Sequence, residues 1–292
     1  MTNTTKPQPK TTRASSTPGI EVRPVTTAIG AEIHGIDLSR PVDDAAFKVI
    51  HDALMEHEVV FFRDQDMTPE GHLELAKRFG TPDISKKLKR YEGYEVMSLL
   101  ENDGSKKAVG GMWHADNTDY ANPPMGSLLY AEVAPRTGGD TMFSSMTAAF
   151  DALSSGLKRY LMDLTALHDN STVRRTYAAE GSLRDEGTVV DAAVEHPVVR
   201  MHPVTKKPVL FVNSTYTQRI VGVDDNESKH ILSLLFEHVM KPEFQVRFRW
   251  QAGSMAIWDN RATQHYALDD YNELRRMRRV QIIGDTPVRV EK

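Results

Sequence analysis

Residues 244–250 read Phe-Gln-Val-Arg-Phe-Arg-Trp. Phe244, Val246, Phe248 and Trp250 take alternate positions, with Arg247 and Arg249 between them. A side-chain period of two belongs to an extended chain, so this segment is a strand with one apolar and one solvated face. Shortly after it, SMAIWDN (254–260) is an almost unbroken apolar run, as expected of a buried strand.

Working outward, further strand candidates are EVRPV (21–25), AEIHGIDL (31–38), EVVFFR (58–63), YEVMSLL (94–100), GSLLYAEV (126–133) and GDTMFSS (139–145). HPVVRMHP (196–203), PVLFVN (208–213) and RVQIIGD (279–285) complete the set. Helices are fewer. Asp43 or Asp44 caps one that runs to about Glu56, and a second follows Thr68-Pro69-Glu70, with Gly80 past its end. Residues 146–163 look helical, and Asp225–Met240 carries Ile231, Leu234, Leu235, His238 and Val239 at helical spacing. Many short strands with a few helices predict a sandwich or barrel, not a parallel βαβ sheet.

The chain of 292 residues is read as one domain over 19–292 behind a disordered tail, because residues 1–18 are rich in Thr, Pro, Ser and Lys and nearly devoid of apolar side chains. Lys+Arg 36 against Asp+Glu 40 leaves a net charge of -4, so no basic field points to nucleic acid or to an anionic membrane; the expected partner is a small molecule. The absence of cysteine excludes disulfides and thiolate metal sites, leaving histidines and carboxylates as the strong ligands. No apolar run approaches the ~18 residues that span a bilayer, and the N-terminus lacks an apolar signal core. A soluble, cytoplasmic protein is the expectation.

Trp113-His114-Ala115-Asp116 places an imidazole and a carboxylate two residues apart, on the same face if the segment is extended. His265, at the end of WDNRATQH, offers a third donor. Two histidines and one carboxylate form the facial triad that leaves three positions of iron(II) open for a bidentate cosubstrate and O2. From spacing alone, a core or surface histidine is the better reading of His265, because it lies far from His114 and Asp116 in the sequence. The remaining histidines have no ligand-spaced partner and are read as structural or surface residues.

The blocks AIGAEIHGIDL, VVFFRDQDMTPEGHLELAKRFG, WHADNTDY, GGDTMF, EHPVVRMHPVTKKPVLFVN, AIWDNRATQHYALDDY and IIGDTP, in this order, resemble the taurine/2-oxoglutarate dioxygenase family. That family includes alkylsulfonate, alkylsulfate and aryloxyalkanoate dioxygenases. The resemblance implies a mainly β fold with flanking helices, the double-stranded β-helix or jelly roll. It implies Fe(II), bound by His114, Asp116 and His265, as the catalytic centre, with 2-oxoglutarate and O2 as cosubstrates, and often a dimer or tetramer. Thr141 matches the threonine that hydrogen-bonds a 2-oxoglutarate carboxylate, and a later arginine should pair with that carboxylate bidentately. Anchoring on Ile283-Gly284-Asp285 selects Arg275 for this and Arg279 for the acidic group of the substrate. Counting forward from His265 selects Arg276 instead. Strand alternation puts Arg275 and Arg279 on one face and Arg276 and Arg278 on the other, which favours Arg275; the remaining arginines are expected on a solvated face.

By the same resemblance, 2-oxoglutarate becomes succinate and CO2 while a small anionic organic substrate is hydroxylated, and a sulfonate, sulfate or aryloxy group on that carbon is then released. Tyr216 matches a pocket aromatic, and Asn170 stands where a relative carries a second one. Taurine fits poorly, because no histidine lies between His72 and His114; Ser85 and neighbouring lysines occupy that stretch instead. Segments 81–92, 101–112 and 170–190 are candidate lids. Competing readings are a stable hydroxylation of an amino-acid-like carboxylate and a non-catalytic jelly-roll metal module. The second has no need of Thr141 or the distal arginine, and both are present. Trp258 is expected in the core, with Asp259 and Asn260 in a turn supporting the ligands.

Overall fold

A computed structural model describes residues 13–14, 19–85, 88–103, 110–179 and 192–291. Its frame is a nine-stranded sheet that faces a three-stranded one, without closing into a barrel. From the centre of the large sheet, Val59–Phe62, Met255–Asp259, Gly126–Val133, Arg275–Ile282 and Tyr94–Asn102 lie side by side. The small sheet places Thr141–Ser145 between Gln245–Phe248 and Thr263–Ala267. This is the expected jelly-roll type of architecture, with helices on the outside.

Alternation divides the large sheet into two faces. Phe61, Leu129, Ala131, Ala256, Trp258 and Met277 point inward, where they meet Phe143, Val246 and Phe248 of the small sheet. Phe61 and Phe248 stack with ring centroids 4.1 Å apart. The intervening residues Val60, Phe62, Leu128, Tyr130, Met255, Ile257 and Val280 face outward under helices Asp44–His57 and Pro69–Phe79. Burial on both faces explains why the central strands read as continuous apolar runs. Both helices start as expected: Asp43 accepts from the Ala46 amide and Thr68 from that of Gly71. In the opening segment, Val246, Phe248 and Trp250 are buried while Arg247 and Arg249 are exposed.

Other expectations need correction. Phe244 ends a 3-10 turn, so its strand begins at Gln245. The helical stretch 146–163 is two short helices, Met146–Asp151 and Ser155–Met162, each capped by its own serine. In helix Asp225–Val239, Leu235, His238 and Val239 are buried as expected, but Leu232 is buried as well and Leu234 is 50% exposed. Strands Thr165–His168 and Thr217–Ile220 pair with each other, and residues 171–179, expected as part of a lid loop, form a helix. Most of the tail over 1–18 lies outside the described residues, but Arg13–Ala14 pair with Glu21–Val22 as a short strand. Of the three lid candidates, 86–87, 104–109 and 180–190 also lie outside them.

Candidate metal and cosubstrate site

His114 and His265 sit on facing segments that exchange backbone hydrogen bonds in both directions, at 3.1 and 2.8 Å. This fixes the two imidazoles side by side, with ring centroids 4.2 Å apart. Asp116 begins the turn that follows. Its Oδ1 lies 3.7 Å from Nε2 of His114 and 3.8 Å from Nε2 of His265, so both Nε2 atoms converge on one carboxylate oxygen. All three donors are buried, and one ligand atom from each lies within 4.8 Å of the others.

The donor set fits a divalent metal. Nδ1 of His114 is 2.7 Å from the carbonyl of Met112. A proton held there for that bond leaves the Nε2 lone pair turned to the centre. Burial pushes the Asp116 carboxyl up, but the charge of Arg279, then of His265 and His114, outweighs it and holds the group at about 2. Burial, and then the neighbouring His114, pushes His265 down to about 3. The pair is therefore ready as a carboxylate and a neutral imidazole, the forms that bind a metal.

Asn260 secures Asp116 from behind. Its Oδ1 accepts from the Asp116 amide at 2.7 Å, and its Nδ2 donates to the carbonyls of Asp116 and Pro124 at 3.0 and 3.1 Å. Asp259, next to it, takes a bidentate contact from Arg261 and a bond from Nε2 of His202 at 3.0 Å. Burial raises its carboxyl, yet Arg261 and His202 hold it well below the usual carboxylate range. The expected support is a physical contact to a ligand for Asn260, whereas the Asp259 carboxylate engages Arg261 and His202. Trp258 is in the core as expected, but it also packs against His265, with centroids 4.9 Å apart, and forms part of the cavity wall.

The triad opens into a cavity of about 870 Å³, the open solvent at its mouth included. Thr141, Arg275, Arg279, Tyr216 and Ser85 all line it, as the sequence led one to expect. Thr141 Oγ1 accepts from the indole of Trp250 at 2.9 Å, and Arg275 donates to the carbonyl of Gly139 at 3.2 Å. The Gly138-Gly139 turn allows this approach. Both residues have positive φ, and a Cβ on Gly138 would sit 2.5 Å from the carbonyl oxygen of Asp270. Arg279 lies 3.3 Å from Asp116 Oδ1.

Arg276 is not in the lining. It is partly exposed and pairs with Glu101 and Glu132, while Arg275 lines the cavity. The expectation that the other arginines are solvated fails for Arg278. It is 3% exposed, lies 4.2 Å from the Tyr130 ring centre, pairs with Glu132 and donates to the carbonyl of Met67. Asn170 is buried but does not line the cavity; Val173, on the helix just beyond it, does. Missed by the sequence reading were Gln281, Leu129, Leu100, Met112 and Thr215. The first could have been found by extending the Arg275, Met277, Arg279 alternation by two residues.

The chain matches the family model described as "Taurine catabolism dioxygenase TauD, TfdA family" over residues 21–281. It is 38% identical over 283 residues to an alpha-ketoglutarate-dependent sulfate ester dioxygenase of Pseudomonas putida, covering 93% of this chain and 92% of that protein. An alkylsulfatase of Acinetobacter baylyi is 36% identical over 91% of this chain and 86% of its own length. The crystal structure of a taurine dioxygenase from Burkholderia xenovorans superposes with a TM-score of 0.81 at 36% identity, over 93% of this chain and 92% of that one. With that fold, that span and that degree of identity, the chain belongs to the TauD/TfdA family of 2-oxoglutarate-dependent dioxygenases.

Proposed function

We propose that this enzyme uses Fe(II), 2-oxoglutarate and O2 to hydroxylate a small organic anion, foremost an alkyl sulfate ester, at the carbon bearing the sulfate. A sulfonate or aryloxyalkanoate is the related choice. The single observation that carries the reading is one cavity wall presenting His114, Asp116 and His265 together with two buried guanidinium groups, Arg275 and Arg279. Iron bound at the triad would supply O2 activation, for which side chains have no equivalent.

The residues do the rest. His114, Asp116 and His265 hold the metal from one side. The hydroxyl of Thr141 and the planar fork of Arg275 grip the distal carboxylate of 2-oxoglutarate. Arg279 attracts the anionic head of the substrate, Ser85 lies at the same wall, and Tyr216, Met112 and Val173 offer apolar surface to its carbon skeleton. Trp258 and Leu129 keep water from the reacting carbon. A carbon carrying both the new hydroxyl and the sulfate then collapses to a carbonyl compound, freeing sulfate.

Among the described lining residues the sole carboxylate is Asp116, already faced by two histidines and Arg279. An ammonium group would find no counter-ion there, which favours a plain anion over an amino-acid-like substrate. The sulfate-ester preference also draws on the relatives of that name. We take residues 19–292 as one domain behind the tail and the enzyme as a cytoplasmic dimer or tetramer, in line with composition and family habit. Among the described residues no helix is long and apolar enough to cross a membrane.

The test is oxygen consumption and succinate formation by the purified protein with Fe(II) and ascorbate across alkyl sulfates, sulfonates, aryloxyalkanoates and N-acyl amino acids. Alkyl sulfates should release sulfate in step with succinate. His114→Ala and Asp116→Ala should lose metal binding and turnover together. A product heavier by one oxygen with the head group retained would establish stable hydroxylation instead, and no succinate above background with any compound would sink the reading.

A further inference from the structure

We infer that Asn213 is a positioning residue that ties the Thr215–Tyr216 wall of the cavity to the segment carrying His114 and Asp116. Its side chain is 2% exposed, with both polar atoms hydrogen-bonded. Oδ1 accepts from the amides of Thr215 at 3.2 Å and Tyr216 at 2.9 Å, a local turn that many asparagines make. The other end has no local explanation. Nδ2 crosses to Oγ1 of Thr118 at 3.0 Å, two residues past Asp116 and 95 positions away in the chain.

The tie is doubled on the other side of the ligand pair. The hydroxyls of Thr215 and Ser214 donate to the carbonyl of Trp113, immediately before His114, at 3.0 and 3.3 Å. Thr118 is 1% exposed, and its hydroxyl is also 3.1 Å from Nδ1 of His168. The turn that presents Thr215 and Tyr216 to the cavity is therefore stitched to the metal-binding segment at both ends, buried at Thr118 and partly open to solvent at Trp113. Breaking such a bond in a buried place is costly, so the wall keeps its distance from the triad. In a reaction that must strike one carbon, that distance decides whether 2-oxoglutarate consumption ends in product. Asn213 touches no reactant; it acts through Tyr216 and Thr215.

The inference rests on the proposed reaction for its kinetic arm only; an amide-exchange arm uses the metal-free protein and needs no substrate. In Asn213→Leu the Thr215 and Tyr216 amides should exchange at least ~10-fold faster, while the His114 amide, bonded to His265, keeps its protection. With hexyl sulfate as probe, KM should rise about 10-fold, KM for 2-oxoglutarate should stay within about twofold, and succinate should exceed sulfate released. Asn213→Asp keeps the amide acceptors and should restore the exchange protection. Thr118→Val cuts the long tie, together with the Thr118–His168 contact, and leaves the Asn213 turn in place. It should keep both amides protected yet raise the hexyl sulfate KM, with the Asn213→Leu/Thr118→Val pair no worse than Asn213→Leu.

Unchanged Thr215 and Tyr216 exchange in Asn213→Leu would overturn the inference, as would a parallel rise in both KM values, which marks general loosening. Should Asn213→Leu not fold, Thr118→Val decides: a wild-type KM and succinate-to-sulfate ratio would refute the tie. If no alkyl sulfate is turned over by the wild type, the exchange result still stands and the failure belongs to the substrate reading.

Discussion

Replacing Asn260 with alanine is expected to damage both the stability of the metal-free protein and its affinity for metal. The side chain is 1% exposed and makes three hydrogen bonds: from the Asp116 amide, to the Asp116 carbonyl and to the Pro124 carbonyl. At about 1 kcal/mol net for each, their loss costs about 3 kcal/mol, and leaving backbone groups buried without partners raises this unless water enters the space. That is a large share of the roughly 5–15 kcal/mol that holds a typical domain together. The peptide these bonds fix is the one from which the Asp116 carboxylate projects, so Mn(II) affinity should fall about 10- to 100-fold, the usual effect of losing outer support at a metal site. Urea denaturation of the metal-free protein measures the first quantity and calorimetric titration with Mn(II) the second. A loss below about 1 kcal/mol combined with metal affinity within about twofold of wild type would refute the argument that Asn260 holds Asp116.

Arg275→Ala should weaken 2-oxoglutarate binding by at least about tenfold, whereas Arg276→Ala, which removes a partly exposed ion pair, should leave it unchanged; titration of the metal-loaded protein with 2-oxoglutarate separates them. The reverse result would reinstate the register counted from His265. Stability should also fall in mild acid. Burial, then the charge of Arg278, pushes His72 down to about 3 from an ordinary 6.5, so the folded state keeps it neutral while the unfolded chain takes up a proton. Stability is then complete above pH 6.5 and declines as pH drops towards 3, by up to about 1.4 kcal/mol per pH unit for one group. His72→Leu should flatten the curve over that interval, with His168, also kept neutral by burial, supplying part of the slope that remains; an unaltered slope in denaturation midpoints from pH 7 to 4 would contradict this origin.

Local signals carried most of the frame. Period-two alternation located the strand at Gln245–Phe248, and Asp43 and Thr68 gave away the helix starts through the bonds their side chains make to the next turn. Alternation also sorted Arg275 and Arg279 from Arg276, because a strand paired on both sides cannot slip by one residue. What was illegible depended on partners distant in the chain. Arg278 looked like a solvated charge until Tyr130, Glu132 and Met67 enclosed it. The exchange of Leu234 for Leu232 reflects where the neighbouring elements lie, which helical spacing alone leaves open. The position of Asn170 in its motif points to the pocket, but the helix that starts at Ser171 turns Val173 to the cavity instead. Asn213 carries no signal in the sequence, since its bond to Thr118 spans 95 residues.

The strand Arg275–Ile282 gives a redesign of the pocket its working rule. Its odd-numbered positions from 275 to 281 face the triad side, and its even-numbered 280 and 282 sit beneath the helices. A library that varies Gln281 would retune what the cavity accepts while leaving the helix-bearing side untouched. Changes of length, by contrast, belong in the loop between Ala267 and Arg275: a single residue added between Arg275 and Arg279 would put the two guanidinium groups on opposite faces of the strand, so that they could no longer both line the cavity.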